Sequence, residues 1–354
     1  MISRKQQALN SQGAQPIKTE RLADELVELL RRSRGDVSLR ILGKRLSNST
    51  SDIDEASICN ALDQLRSWGY KIESRPNGAI RFGGAPDRLL AAEIKNRLGT
   101  KILGSKIHAF QKVSSTNTVA TQLANAGAAE GEIVIAESQT GGRGRLGRAW
   151  HSPIRVGAYL SIILRPAIEP VQAPVISILT ALALAEAIER VCEIDASIKW
   201  PNDVFVSGKK VSGILTELIT EVENGRFVIV GTGININQTR NDFPESLKKT
   251  ATSLRISARR KIDRILMVQE FLRRFEKRYL QLLSEGFSGL RKQILKRSIL
   301  IGKTVKVRGV NVPDYQGQAL DIDELGRLMV ETASGVVALN SGDVTLSPAR
   351  KSRR

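Results

Sequence analysis

Apolar residues recur at helical spacing three times before residue 70. Over 21–32 they are Leu22, Leu26, Leu29 and Leu30; over 37–46, Leu39, Leu42 and Leu46; over 56–68, Ile58, Leu62, Leu65 and Trp68. Residues three and four apart share a helix face, so each run predicts a short amphipathic helix. Two strand-like runs, 70–74 and 79–82, then flank Asn77-Gly78. Both of those residues tolerate positive φ, the requirement of a tight hairpin turn. Three helices and a hairpin are the element order of a winged helix-turn-helix, placed at 18–85. Residues 1–17 are polar and without period, which predicts a disordered tail.

Beyond Pro86 the pattern changes. Strand-like runs at 133–137, 158–164, 211–218 and 227–231 mix with helical runs at 117–126, 173–191 and across 262–295. Strands and helices without strict alternation predict an α+β domain on a mixed sheet, at 86–298. From 299 to 348 the period falls to two. Thr304-Val-Lys-Val-Arg, Gln318-Ala-Leu-Asp-Ile, Arg327-Leu-Met-Val-Glu and Val336-Val-Ala-Leu are short alternating runs separated by turns at 323–326 and 334–335. They predict an SH3-like β-barrel.

The net charge of +18 is uneven, with thirteen basic and four acidic residues in 251–300 supplying half of it. Two readings stay open for that stretch, a polyanion-attracting surface and a solvated helix face. The longest apolar run, 173–185, is broken by Pro174, Ser177 and Thr180. It falls short of the ~20 residues of a membrane span and reads as a buried helix. The first residues carry no apolar stretch of signal-peptide type, and two distant cysteines, Cys59 and Cys192, build neither a disulfide framework nor a zinc site. The expectation is a cytoplasmic protein with no membrane contact. His108 and His151 read as structural, with no metal site.

Three segments carry chemistry. In Gln139-Thr-Gly-Gly-Arg-Gly-Arg-Leu-Gly-Arg148, glycines alternate with Arg143, Arg145 and Arg148. Glycine lets backbone amides approach a ligand, and arginine offers planar forks to phosphate or carboxylate. Such a loop is mobile when empty and ordered by an anion. Lys199-Trp-Pro-Asn-Asp203 sets a lysine at a strand end, with Asn202 and Asp203 to orient it. Gly231-Thr-Gly-Ile-Asn235 follows the strand-like run Phe227-Val-Ile-Val; it lacks the third glycine of a dinucleotide fingerprint, since Ile236 stands there. The Arg-Gly loop and the basic charge also fit a non-catalytic nucleic-acid-binding protein, but an aromatic content of 4% leaves few stacking platforms.

Gly142-Arg-Gly-Arg-Leu-Gly-Arg148 and Lys199-Trp-Pro-Asn-Asp203 resemble the two signatures of biotin–protein ligases. Ser115-Thr-Asn117, Lys210-Val-Ser-Gly-Ile-Leu-Thr-Glu217 and Gly231-Thr-Gly-Ile-Asn235 follow in that family's order and spacing. The resemblance spans roughly 20–348 and includes both flanking domains of the bifunctional ligase and biotin-repressor class. It implies biotin and Mg-ATP as substrates, with biotinyl-5'-AMP as intermediate and a lysine of a biotin carboxyl carrier domain as acceptor. It implies biotin contacts at Ser115, Thr116, Asn117, Gln139, Arg143, Gly144, Arg145 and Lys199, with Lys199 and Arg145 acting in catalysis. ATP contacts are implied at Arg148, Trp150, Asn202 and Asn235. A lipoate-type acyl-protein ligase is the related alternative. Operator DNA and a homodimer through the central sheet are further partners of the class. One departure concerns the turn Ser47-Asn-Ser-Thr-Ser-Asp-Ile-Asp-Glu55, which is about five residues longer than the family's. It places Asp52, Asp54 and Glu55 at the start of the expected recognition helix, where their charge opposes DNA.

Overall fold

The computed structural model describes residues 15–16, 21–33, 35–47, 53–221, 225–308, 314–340 and 342–346. The polypeptide forms an eight-stranded, a five-stranded and a three-stranded sheet with helices between them. Two residues of the expected tail are ordered as a strand: β1, Gln15–Pro16, pairs antiparallel with β5 at the edge of the largest sheet. The remainder of that tail lies outside the described residues.

The first unit contains α1 (Arg21–Arg32), β2 (Val37–Ser38), α2 (Leu39–Ser47), α3 (Glu55–Ser67), β3 (Lys71–Ser74) and β4 (Ala79–Gly84). Leu26, Leu30, Leu42, Ile58, Leu62, Leu65 and Trp68 close one small core. Of the three acids at the long turn, Asp54 is the N-cap of α3, accepting from the Ser57 amide at 2.8 Å; Asp52 lies outside the described residues. The hairpin turn differs from the expected one. Only Gly78 takes a left-handed φ (74°), while Asn77 turns its side-chain oxygen back to the Ala79 amide at 3.1 Å.

α4 (Ala91–Lys95), which had no sequence-level signal, ties this unit to the rest. Leu90, at its N-cap, packs into the first core, and Glu93 meets both Arg31 and the Tyr70 hydroxyl at 2.5 Å. Burial and the Glu93 carboxylate together push the Tyr70 hydroxyl far above the usual phenol range.

The central sheet runs β1-β5-β6-β7-β11-β10-β9-β8, with β5 (Ile107–Lys112) parallel to β6 (Ile133–Ala136) and the other pairs antiparallel. Its remaining strands are β7 (Gly157–Leu164), β8 (Ser197–Lys199), β9 (Asp203–Val206), β10 (Lys209–Glu221) and β11 (Gly225–Asn235). One face packs α5 (Thr116–Asn125), whose Val119, Ala120 and Leu123 meet Phe227 and Ile229. The other packs α6 (Ala173–Cys192) and, after the short α7 (Leu254–Ala258), α8 (Arg264–Glu285). α6 is a 20-residue helix, one residue beyond the expected 173–191, and its burial inside the protein explains its apolar composition.

α9 (Ser288–Arg297) leads to β12 (Thr304–Arg308), β13 (Tyr315–Ile322), β14 (Leu328–Thr332), β15 (Gly335–Leu339) and β16 (Asp343–Leu346). These form an antiparallel sheet in the order β15-β14-β13-β12-β16. Its core residues Val305, Ala319 and Leu328 are continuous with the core beneath the central sheet.

Part of the basic stretch 255–297 is turned inward, while Arg255, Arg259, Lys277, Lys292 and Lys296 stay exposed. Arg264 is fully buried, 2.7 Å from Glu137 and 2.8 Å from Asp87. Arg278 meets Glu186 at 2.5 Å, Arg297 meets Glu189 at 2.8 Å, and Arg291 meets Asp321. Burial alone would raise the Asp87 carboxyl, yet its bonds to Arg264 and Lys261 hold it below the ordinary range.

Candidate active site

Alternation along β7, β10 and β11 points Ser161, Leu215, Gly231 and Gly233 to one face, in the registers Gly231↔Ser161 and Gly231↔Leu215. The missing side chains at Gly231 and Gly233 make room there. A Cβ on Gly231 would collide with the Asn117 carboxamide, and one on Gly233 with the Trp150 indole nitrogen. The Gly231-Thr-Gly-Ile-Asn235 motif therefore continues the strand of 227–230 as part of β11 and forms a floor.

Above this floor lies a cavity of about 580 Å³. At one end the groups are uncharged. Gln139 Oε1 accepts from the Thr116 amide at 2.8 Å and lies 3.1 Å from the Thr116 hydroxyl, while Gln139 Nε2 donates to Ser152 at 3.0 Å. The Ser161 hydroxyl lies 2.8 Å from Thr116 Oγ1 and 2.6 Å from Asn117 Oδ1. Ser115 is the N-cap residue of α5, so this cluster stands where that helix begins over the sheet.

The other end is cationic. Lys199 closes strand β8, its amine 5.9 Å from the Phe205 ring. Asn202 is pinned to β10 by Nδ2 donating to the Ile214 carbonyl at 2.8 Å, and its Oδ1 accepts from Arg145 at 3.1 Å. Lys210, to which sequence reasoning gave no role, also lines the cavity. Its amine lies 2.7 Å from Asp203 and 5.4 Å from the Trp150 ring centre. A lysine near the start of β10, the strand that carries the floor residue Leu215, was the available signal.

The Gly-Arg loop covers one side. Trp150 N donates to the Gly142 carbonyl at 2.8 Å and Gly144 N to the Arg148 carbonyl at 2.6 Å, which folds the loop back on itself. Leu146 at its tip is 60% exposed with φ at 55°, a left-handed conformation that costs a leucine energy. The opposite side was missed from sequence. Phe243, Leu247, Lys249, Thr250 and Ala251 line it, held to β10 because Lys210 N donates to the Thr250 carbonyl and Thr252 N to the Lys210 carbonyl, both at 2.9 Å. Asn235 is committed to this wall, donating to the Thr252 carbonyl at 3.1 Å. The Trp150 indole N–H is buried against Gly233 and lacks a partner among the described residues.

All twelve residues singled out from sequence line this one cavity: Ser115, Thr116, Asn117, Gln139, Arg143, Gly144, Arg145, Arg148, Trp150, Lys199, Asn202 and Asn235. His151 also lines it, with Nε2 2.8 Å from the Asp242 carbonyl; His108 is paired with Glu132 at 2.8 Å.

A cavity with a neutral hydrogen-bonding end and a cationic end, roofed by a Gly-Arg loop, defines a protein that holds a small ligand beside an anion. Comparison with known proteins makes that class specific. The model of the Biotin/lipoate A/B protein ligase family matches residues 109–235, and that of the Biotin protein ligase C terminal domain matches residues 300–347. The bifunctional ligase/repressor BirA of Bacillus subtilis is 38% identical over 325 residues, 92% of this chain and 98% of that protein. The biotin–[acetyl-CoA-carboxylase] ligase of Mycobacterium tuberculosis is 32% identical over 268 residues, 73% of this chain and 97% of that one. The structure of the Aquifex aeolicus biotin protein ligase in complex with biotin and ATP superposes with a TM-score of 0.59 at 31% identity, covering 69% of this chain and 99% of that chain. The chain belongs to the biotin protein ligase family.

Proposed function

We propose that this protein activates biotin with ATP and transfers it to a lysine of a biotin carboxyl carrier domain. The observation that carries this reading is the convergence of five sequence-distant motifs on one two-ended cavity. The neutral end, with Ser115, Thr116, Asn117 and Gln139, suits the uncharged bicyclic head of biotin. The carboxylate at the end of biotin's valeryl chain then points to the cationic end, where Lys199, Lys210 and Arg145 offset its repulsion from the α-phosphate of Mg-ATP. The carboxylate oxygen attacks the α-phosphorus and pyrophosphate leaves. The acceptor lysine amine attacks the biotinyl carbonyl and AMP leaves. Positioning supplies most of the rate, and no side-chain nucleophile is needed. Gly144, Arg143 and Arg148 belong to a roof that excludes water from the mixed anhydride. Trp150, Asn202 and Asn235 serve the nucleotide side. Biotin is favoured over lipoate by the C-terminal domain match and by the named relatives, since the central family model covers both. Two unpaired cysteines suit a reducing cytoplasm.

The flanking units complete the reading. The first is a winged helix-turn-helix built on α1–α3 and the β3–β4 hairpin, and the last an SH3-like barrel. Among the described residues, α2 exposes Arg40, Lys44 and Arg45 and α1 exposes Arg32, while α3 exposes Glu55 and Asp63. DNA contact is accordingly weak and led by α2. Beyond residue 215, β10 pairs only with β11 among the described residues, which leaves an edge for a homodimer.

Incubating the full chain with labelled biotin, ATP and a carboxylase carrier domain tests the activity. Label should enter the carrier only when ATP is present. Absence of transfer, and of biotin-dependent ATP–pyrophosphate exchange, overturns it.

A further inference from the structure

Glu217 stands behind the cavity wall and was given no role by the motifs. Its Oε2 accepts from Asn117 Nδ2 at 2.6 Å, and its Oε1 lies 3.4 Å from Arg143 Nη2. It thus joins the start of α5, at the neutral end, to the start of the Gly-Arg loop.

The Asn117 carboxamide can face either way, because oxygen and nitrogen are interchangeable by rotation about its last bond. Ser161 does not settle the choice. Its single hydroxyl proton has two acceptors in reach, Thr116 Oγ1 and Asn117 Oδ1. An ionised carboxylate accepts only, so Glu217 requires the amide N–H₂ on its side. With the Leu215 carbonyl also 3.2 Å from Nδ2, that choice turns Oδ1 toward Ser161 and hence toward the Thr116–Gln139 pair. Gly231 below leaves no space for the carboxamide to shift.

Resting on the biotin reading above, we propose that Glu217 is a positioning residue for the biotin head group. It sets the polarity of Asn117 and tethers the start of the Gly-Arg loop through Arg143. Arg143 is half-exposed, so the tether is the weaker of the two effects.

The test is biotin-dependent ATP–pyrophosphate exchange by the full chain. Glu217→Ala should raise KM for biotin about tenfold, as expected for a lost hydrogen bond to a charged acceptor. KM for ATP should stay within about twofold and the melting curve should be unchanged. Glu217→Gln keeps a carbonyl acceptor for Asn117 and should recover most of the biotin KM. Equal shifts in both KM values, no shift at all, or a Gln variant as impaired as Ala would overturn the proposal. Wild type without exchange would instead fail the functional reading itself.

Discussion

The Gly-Arg loop of 139–148 and the helical stretch of 255–297 are both dense in arginine, and the protein uses them in opposite ways. In the helical stretch, Arg264, Arg278 and Arg297 are drawn against Glu137, Glu186 and Glu189, which come from distant elements. Their charge is neutralised inside the fold and holds α8 and α9 to the sheet and to α6. In the loop, Arg143 lies 3.4 Å from Glu217, and Arg145 donates to the neutral amide of Asn202. Those guanidiniums are presented to a cavity rather than to a core. Charge density alone does not separate the two cases; what faces each guanidinium does.

The largest expected effect breaks the buried side of this comparison. Arg264→Ala leaves Glu137 buried without its cation and should cost about 3–5 kcal/mol of stability. A urea midpoint equal to wild type would show that Arg264 is not a structural pin. Next comes the loop side. Arg145→Ala should lower biotin-dependent pyrophosphate release on the order of a hundredfold with an unchanged melting curve. Lys199→Ala should act alike, and normal release by that variant would overturn the catalytic role given to Lys199.

A smaller effect follows from pH. Asp87, held low by Arg264 and Lys261 despite its burial, and Asp323, held low by Arg327, have folded values below their unfolded ones. Their contribution is present above the ordinary carboxylate value of about 4 and is lost as pH falls through the depressed values. Thermal stability should be flat from about pH 5 to 7 and drop below about pH 4. A profile that rises on acidification would contradict the pairing. Smallest is the charge at the first unit. Replacing Asp52, Asp54 and Glu55 by Asn or Gln should strengthen non-specific DNA binding severalfold at low salt and less at high salt. Asp54→Asn keeps a side-chain oxygen that can still cap α3, so the helix should survive the change. Unchanged retardation in a mobility assay at both salts would place the DNA contact elsewhere.

The three amphipathic helices were legible because each buries one apolar stripe, and the candidate site was legible because glycine and arginine at such spacing have few other uses. What escaped was set by tertiary pairing. β5 carries His108 and Gln111 between its apolar residues and looked ordinary until β6 and β1 paired with it. The cavity wall at 243–251 has no regular period, because it is held by backbone bonds to Lys210. Lys210 itself was quoted within a motif but is given meaning only by Asp203 and Trp150 beside it. The inward turn of the arginines in 255–297 depends on acids up to 177 residues away, which no local pattern records.

Trp200 of the Lys-Trp-Pro-Asn-Asp segment is 2% exposed, and its indole N–H donates to the Gly326 carbonyl at 2.9 Å, from a turn that also lies against Val175 and Ile178. The back of the site is therefore closed by a turn that is made after all five motifs of the cavity. A nascent polypeptide that has emerged only through α9 carries a complete set of motifs with Trp200 still uncovered. Synthesis order thus delays completion of the site until the sheet of β12–β16 has left the ribosome and docked. A premature stop within 300–326 would remove the lid from this tryptophan while sparing every motif in the cavity.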